Sequence, residues 1–144
     1  MHALGEIRRV LSPNGALVDL RPLLNRWPVE VSWSNGFDEV GRATDLIEPL
    51  ADDAAANAAM AELSSSGALS CEGEEEFSLF YYWDTPKEME TYISENWSDV
   101  IAIEDPVWVN LRTSWASAGA DARVRLRMKM LIACYREQNP GQSS

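Results

Sequence analysis

The sequence predicts an α/β domain, a small mixed sheet flanked by helices with an inserted β-hairpin. Three observations carry that reading. Arg123, Arg125, Arg127 and Lys129 alternate with Val124, Leu126, Met128 and Met130, and a period of two marks a strand with two different faces. Asn35-Gly36 stands between two alternating segments, a strong hairpin signal. Residues 49–64 are rich in alanine, the best helix former.

The elements follow in order. Ala3, Leu4, Ile7, Val10 and Leu11 recur at helical spacing, so residues 3–11 are expected to be helical. Pro13-Asn14-Gly15 ends that helix and turns the chain. Ala16 to Leu20 is a short, mostly apolar run, as expected of a strand covered on both faces. Val29 to Trp33 and Glu39 to Thr44 flank Ser34-Asn35-Gly36-Phe37, which places the inserted hairpin at 29–44. Asp52 and Asp53 suit the first turn of the alanine-rich helix, where the dipole favours acidic groups. Ser64-Ser65-Ser66-Gly67 closes it.

Phe77 to Trp83 is an aromatic-rich second main strand. Thr85, Pro86 and Glu88 form a capping box with proline at the first helical position, opening a helix that runs to about Trp97. Asp105 opens a further helix over Pro106 to Ala118, closed by Gly119. The last strand covers Ala122 to Arg136. Beyond Lys129 it turns apolar, through Leu131, Ile132, Ala133 and Cys134, and both its faces are expected to be covered there. Residues 1–137 thus make one domain, and the polar stretch 138–144 a flexible tail.

Composition narrows the function. A chain of 144 residues with 46% apolar side chains buries a real core in one domain. A formal charge of −11 argues against nucleic acid and against an anionic membrane surface. No apolar run reaches membrane-spanning length, and the first residues lack a secretory pattern. The two cysteines, Cys71 and Cys134, have no metal or redox spacing. A cytoplasmic protein with reduced thiols is expected. The one histidine, His2, stands beside the N-terminus, so a histidine-dependent triad and a histidine-bound metal are not expected.

Residues 7–21, Ile-Arg-Arg-Val-Leu-Ser-Pro-Asn-Gly-Ala-Leu-Val-Asp-Leu-Arg, carry a more specific signal. This helix end, turn and strand resemble the second half of S-adenosylmethionine-dependent methyltransferases with a Rossmann-like fold. The Phe77 to Trp83 strand and the C-terminal Arg-Met-Lys-Met-Leu-Ile strand fall in that family's order. The resemblance implies a three-stranded core with an antiparallel C-terminal strand in the middle. Asn14 departs from it, standing where glycine is usual.

The family's donor site begins with a glycine-rich loop after its first strand. Here no Gly-x-Gly occurs, and the signature starts close to Met1. The donor-binding half is therefore expected to be missing. No catalytic and no cofactor-binding residue is carried over. S-adenosylmethionine enters only if a second polypeptide supplies the loop.

Such a truncated sheet has a physical consequence. The strand at 16–20 loses its outer neighbour, and an apolar strand with unpaired backbone groups invites a partner. A homodimer, or a second polypeptide covering that strand, is expected; the hairpin folding back over it is the alternative. The implied topology also gathers Arg21, Trp83, Asp84 and Arg123 at one sheet edge, a candidate crevice for a small anionic or aromatic ligand. The plainer alternative is an ion pair of Asp84 with an arginine and core packing of Trp83. Glu74 and Glu76 are expected to pair with Arg125, Arg127 or Lys129 across strands, rather than to hold a metal. With a truncated fold, several of the six tryptophans are expected in a subunit interface. Two functions follow: a non-catalytic, dimeric interaction or small-ligand-binding module, or the substrate-side half of a split methyltransferase.

Overall fold

The structure, a computed structural model, describes Glu6, Arg9, Leu11 and residues 14–138. The expected first helix and the tail lie largely outside these residues, although Glu6 and Arg9 are helical and form an ion pair at 2.8 Å. Among the described residues the order is β1 (Ala16–Leu23), β2 (Pro28–Trp33), β3 (Gly36–Arg42), β4 (Thr44–Asp45), α1 (Ile47–Ser65), β5 (Leu69–Trp83), α2 (Pro86–Asn96), β6 (Ile101–Ala102), α3 (Asp105–Ser117) and β7 (Arg123–Glu137).

The class is mixed α/β, with three helices among these residues and a sheet of antiparallel strands. The C-terminal strand β7 is its hub, hydrogen-bonded to β1, β2 and β5. The hairpin strand β2 takes the start of β7, from Val29 opposite Leu126 to Ser32 opposite Arg123. β3 then pairs with β2, and β4 with β6 forms a separate two-stranded ladder. Contacts divide the chain into two compact units. The first comprises residues up to Pro22, Ala51–Phe77 and those from Met130 on; the second comprises Leu23–Leu50 and Ser78–Lys129.

The second unit is built on the hairpin. β2 and β3 turn through Ser34 and Asn35, with a register shift between Val29 and Glu30. Val29 and Val31 are fully buried, as are Val124 and Leu126 of β7, and Met89 and Leu111 from the two helices join the same core. Thr85 caps α2, its hydroxyl accepting from Glu88 N–H at 3.2 Å. The Glu88 carboxylate reaches past the cap, to Asp84 N–H at 3.1 Å. α3 lies very close to β3. A Cβ added to Gly41 would stand 2.7 Å from both Val107 methyl groups, so glycine is what permits this approach.

All six tryptophans belong to this unit's core, Trp27 and Trp108 buried and Trp33, Trp83, Trp97 and Trp115 packed against it. The four half-buried indoles pack on this core within the chain itself. A core accepts indole where its N–H finds an acceptor, and Trp27 donates to Leu23 O at 2.8 Å and Trp115 to Ala122 O at 3.3 Å.

Among the described residues the first unit has the smaller buried cluster. Met60 of α1, Leu69, Ala133 and Tyr135 form its buried cluster, with Leu11, Leu17 and Leu63 packed on it. β1 is longer than expected and alternates strictly: Leu17, Asp19 and Arg21 are half-buried, while Ala16, Val18, Leu20 and Pro22 are exposed. The expected double covering is therefore wrong for β1. It fails for the end of β7 too, where Leu131, Ala133 and Tyr135 are buried but Ile132 is exposed. The described part of this unit buries one side of these strands only.

β5 also begins earlier than expected, at Leu69 rather than Phe77, and most of it is exposed. The acidic residues Glu72, Glu74, Glu75 and Glu76 lie inside the strand. Glutamate is a weak strand former, but pairing context overrides propensity. Here Glu72 meets Arg136 of β7 at 2.7 Å.

Candidate functional site

The four residues expected to share a crevice have separate employments. At the end of β5, Asp84 accepts from Arg123 Nε at 3.2 Å, and both side chains remain largely exposed. The Arg123 guanidinium lies over the Tyr82 ring at 4.9 Å. Trp83, on the other side of β5, packs into an aromatic group with Tyr92 and Trp97, at centroid distances of 5.5 and 6.2 Å. Arg21 belongs to the first unit. It donates to Asp19 at 3.0 Å, to Asp53 on α1 at 3.2 Å and to Asn57. Its guanidinium is engaged on every nitrogen. Asp53 holds it because α1 starts at Ile47, which moves this aspartate out of the expected first turn.

A buried carboxylate that sequence reasoning passed over organises the outer face of the second unit. Glu30 is fully buried on β2. It accepts from Arg125 Nε at 2.7 Å and from Arg127. Glu30 is thus a partner of both arginines that the expected cross-strand pairing with Glu74 and Glu76 did not include. Arg125 lies between the rings of Phe37 and Phe80, at 4.6 and 4.5 Å, and donates to Tyr82 Oη at 3.1 Å. Each guanidinium–ring contact contributes about 0.5–2 kcal/mol, more as water is excluded. The signal was available in the sequence: Glu30 alternates with Val29 and Val31. Once the hairpin pairs with β7, Glu30 comes directly opposite Arg125.

At the far end of the hairpin lies a cleft of about 410 Å³, between the β2–β3 turn and the C-terminal end of α3. Trp33, Asn35, Asp38, Ser114, Ser117 and Asp121 are among its walls. Asp121 ties the turn down, accepting Ser34 N–H at 2.9 Å. That bond, and a second from the Ser34 side chain, hold the Asp121 carboxyl below its usual range.

The third candidate is the edge of β1. This strand ends the sheet order, so its outer edge is unpaired among the described residues. The hairpin pairs with β7 instead of folding over it. Val18 and Leu20 are 58% and 57% exposed on the same strand. Pro22 lacks an N–H, so an added strand would pair mainly with the residues before it.

Among the described residues no group of three or more histidine, cysteine or acidic side chains is placed to hold a metal ion. No helix there is long and apolar enough to cross a membrane. Cys71 is exposed and Cys134 half-buried, and both are free thiols. No protein-family profile, curated protein or solved structure matches this chain.

Proposed function

We propose that the chain is a non-catalytic interaction module, dimeric, with β1 as its docking element. The observation that carries this is the coincidence of an unpaired strand edge with exposed Val18 and Leu20 on one element. Edge strands are ordinarily protected by charge, by a bulge or by a covering segment. This one, with a leucine and a valine outward, is suited to receive another strand, whose backbone hydrogen bonds supply affinity and whose side chains supply specificity.

The lineage we propose is the second half of a Rossmann-like methyltransferase. The sequence Pro13-Asn14-Gly15 before β1 and the pairing of β7 with both β1 and β5 support it. That lineage sustains a second reading, the substrate-side half of a split enzyme using S-adenosylmethionine. Its specific support is that the open edge and the open apolar face occur together, as at the cut face of a larger sheet.

Native mass spectrometry of the purified chain tests both. A two-chain mass, abolished in Val18→Lys/Leu20→Lys while far-UV circular dichroism is unchanged, is expected. A stoichiometric complex with a polypeptide carrying a glycine-rich donor loop would put the split enzyme first. A monomer at all concentrations, with no second component, would sink the interaction module.

A further inference from the structure

We infer that the cleft beside the β2–β3 turn binds a small organic cation, a protonated primary amine. Its volume, about 410 Å³, falls in the range of small-molecule sites, about 300–1,000 Å³. The chemistry of its walls has one sign. Asp38 and Asp121 contribute carboxylates, and no lysine or arginine lines it. The C-terminal end of α3 contributes Ser114 and Ser117. This end of the helix carries the negative end of its dipole, while the Ser117 hydroxyl donates back to the carbonyls of Thr113 and Ser114 at 3.0 and 3.2 Å. A net charge of −11 further enriches cations around the chain.

The two aspartates differ in what they have left to offer. Asp121 is occupied by Ser34 and shapes the cleft. Asp38, exposed on β3, has no ion-pair partner among the described residues. It is the anchor for an incoming ammonium. Trp33 supplies an apolar wall. Its ring lies beside Gly36, where even an added Cβ would stand at ordinary contact distance, 3.6 Å. An alkyl stem can lie along such a ring while its charged head reaches a carboxylate. A bare metal ion suits the cleft less, because it needs several converging oxygens and Asp121 is already engaged.

Calorimetric titration of the full chain with 1,4-diaminobutane tests this, with 1,4-butanediol as the uncharged counterpart. Saturable binding of the diamine is expected, with none of the diol. Asp38→Asn should weaken it by about tenfold or more, the value of one charge-assisted hydrogen bond. Since Asp38 is exposed and unpaired, that variant should melt as the parent does. Amide shifts in ¹⁵N spectra should centre on Ser34, Asn35 and Gly119. Absence of saturable binding, equal affinity in Asp38→Asn, or shifts centred elsewhere would each overturn the proposal. None of these outcomes depends on β1 or on the oligomeric state.

Discussion

The two units of this chain share the strands β5 and β7 yet reach opposite conditions. The second unit surrounds its part of them with a hairpin and two helices and holds all six tryptophans. Among the described residues the first packs the helix α1 on its strands, and Met60 is that helix's buried residue. Full burial of a valine or leucine contributes about 1.5–3 kcal/mol. Val18 and Leu20, more than half exposed, leave much of that unrealised. Among the described residues the second unit thus buries apolar side chains on all sides of its core, and the first leaves one face of β1 exposed.

The sharpest way to break that contrast is to remove a carboxylate from each unit. Glu30→Ala should cost about 3–5 kcal/mol, because it strands a charge beside apolar rings. Arg125, with its side chain 11% exposed, would keep only Tyr82 Oη and its ring contacts. Asp53→Ala in the first unit should cost clearly less, since Arg21 keeps Asp19 and Asn57. Urea unfolding gives both values. Equal losses would show that the buried pair in the second unit is no more demanding than the half-open one.

Two glycines offer the next test. Gly41→Ala puts a methyl 2.7 Å from the Val107 methyl groups, and overpacking of that kind costs about 1–3 kcal/mol. Gly73, in β5 of the first unit, has nothing within 4 Å of its would-be Cβ. Gly73→Ala should be neutral or stabilising by up to about 1 kcal/mol, through the unfolded chain. Smaller still is Val18→Lys, which in the isolated monomer should change stability by less than about 0.5 kcal/mol, as surface substitutions do. A large loss there would mean that Val18 already has a partner within the chain.

Those same residues show what the sequence made legible. The hairpin, the Thr85 cap and the alternation of β7 were readable because each rests on local chemistry: a turn dipeptide, a hydroxyl at the right offset, a period of two. The one-sided burial of β1 was not. An apolar run such as Ala16 to Leu20 has the same composition whether one face or two are covered, and only the placement of other elements decides. The start of β5 was hidden because glutamate is a weak strand former, and only an arginine-bearing neighbour such as Arg136 favours the strand at Glu72. Arg21, Trp83, Asp84 and Arg123 stand at expected strand ends, and strand ends do not reveal that a nearby Asp53 or Trp97 will claim the side chain. Glu30 was missed for the converse reason: a lone carboxylate between two valines looks like a solvent-facing position. It is buried because β2 pairs inside the sheet, with β7 on one side and β3 on the other.

The smallest effects lie at the pH extremes, and the contrast predicts a different unit at each. Asp121 in the second unit has its carboxyl lowered from 3.8, chiefly by Ser34 N–H. A lowered folded value means that its contribution is present above pH 3.8 and is lost as pH falls through the folded value. Tyr135 in the first unit is raised from 10.0, first by burial and then by Cys71, Glu74 and Asp19, with Arg21 opposing. The protonated phenol is the form the folded state prefers. Its contribution is complete below pH 10.0 and is lost as pH rises through the folded value. Since every tryptophan is in the second unit, indole fluorescence reports that unit alone. Acid should move the fluorescence midpoint of the parent more than that of Asp121→Asn. Alkali should open the first unit before the fluorescence changes, seen as faster amide exchange at Ala133 and Tyr135, and Tyr135→Phe should delay it. Simultaneous loss of both signals in acid and in alkali would show that the units unfold as one, and that the first unit shares the stability of the second.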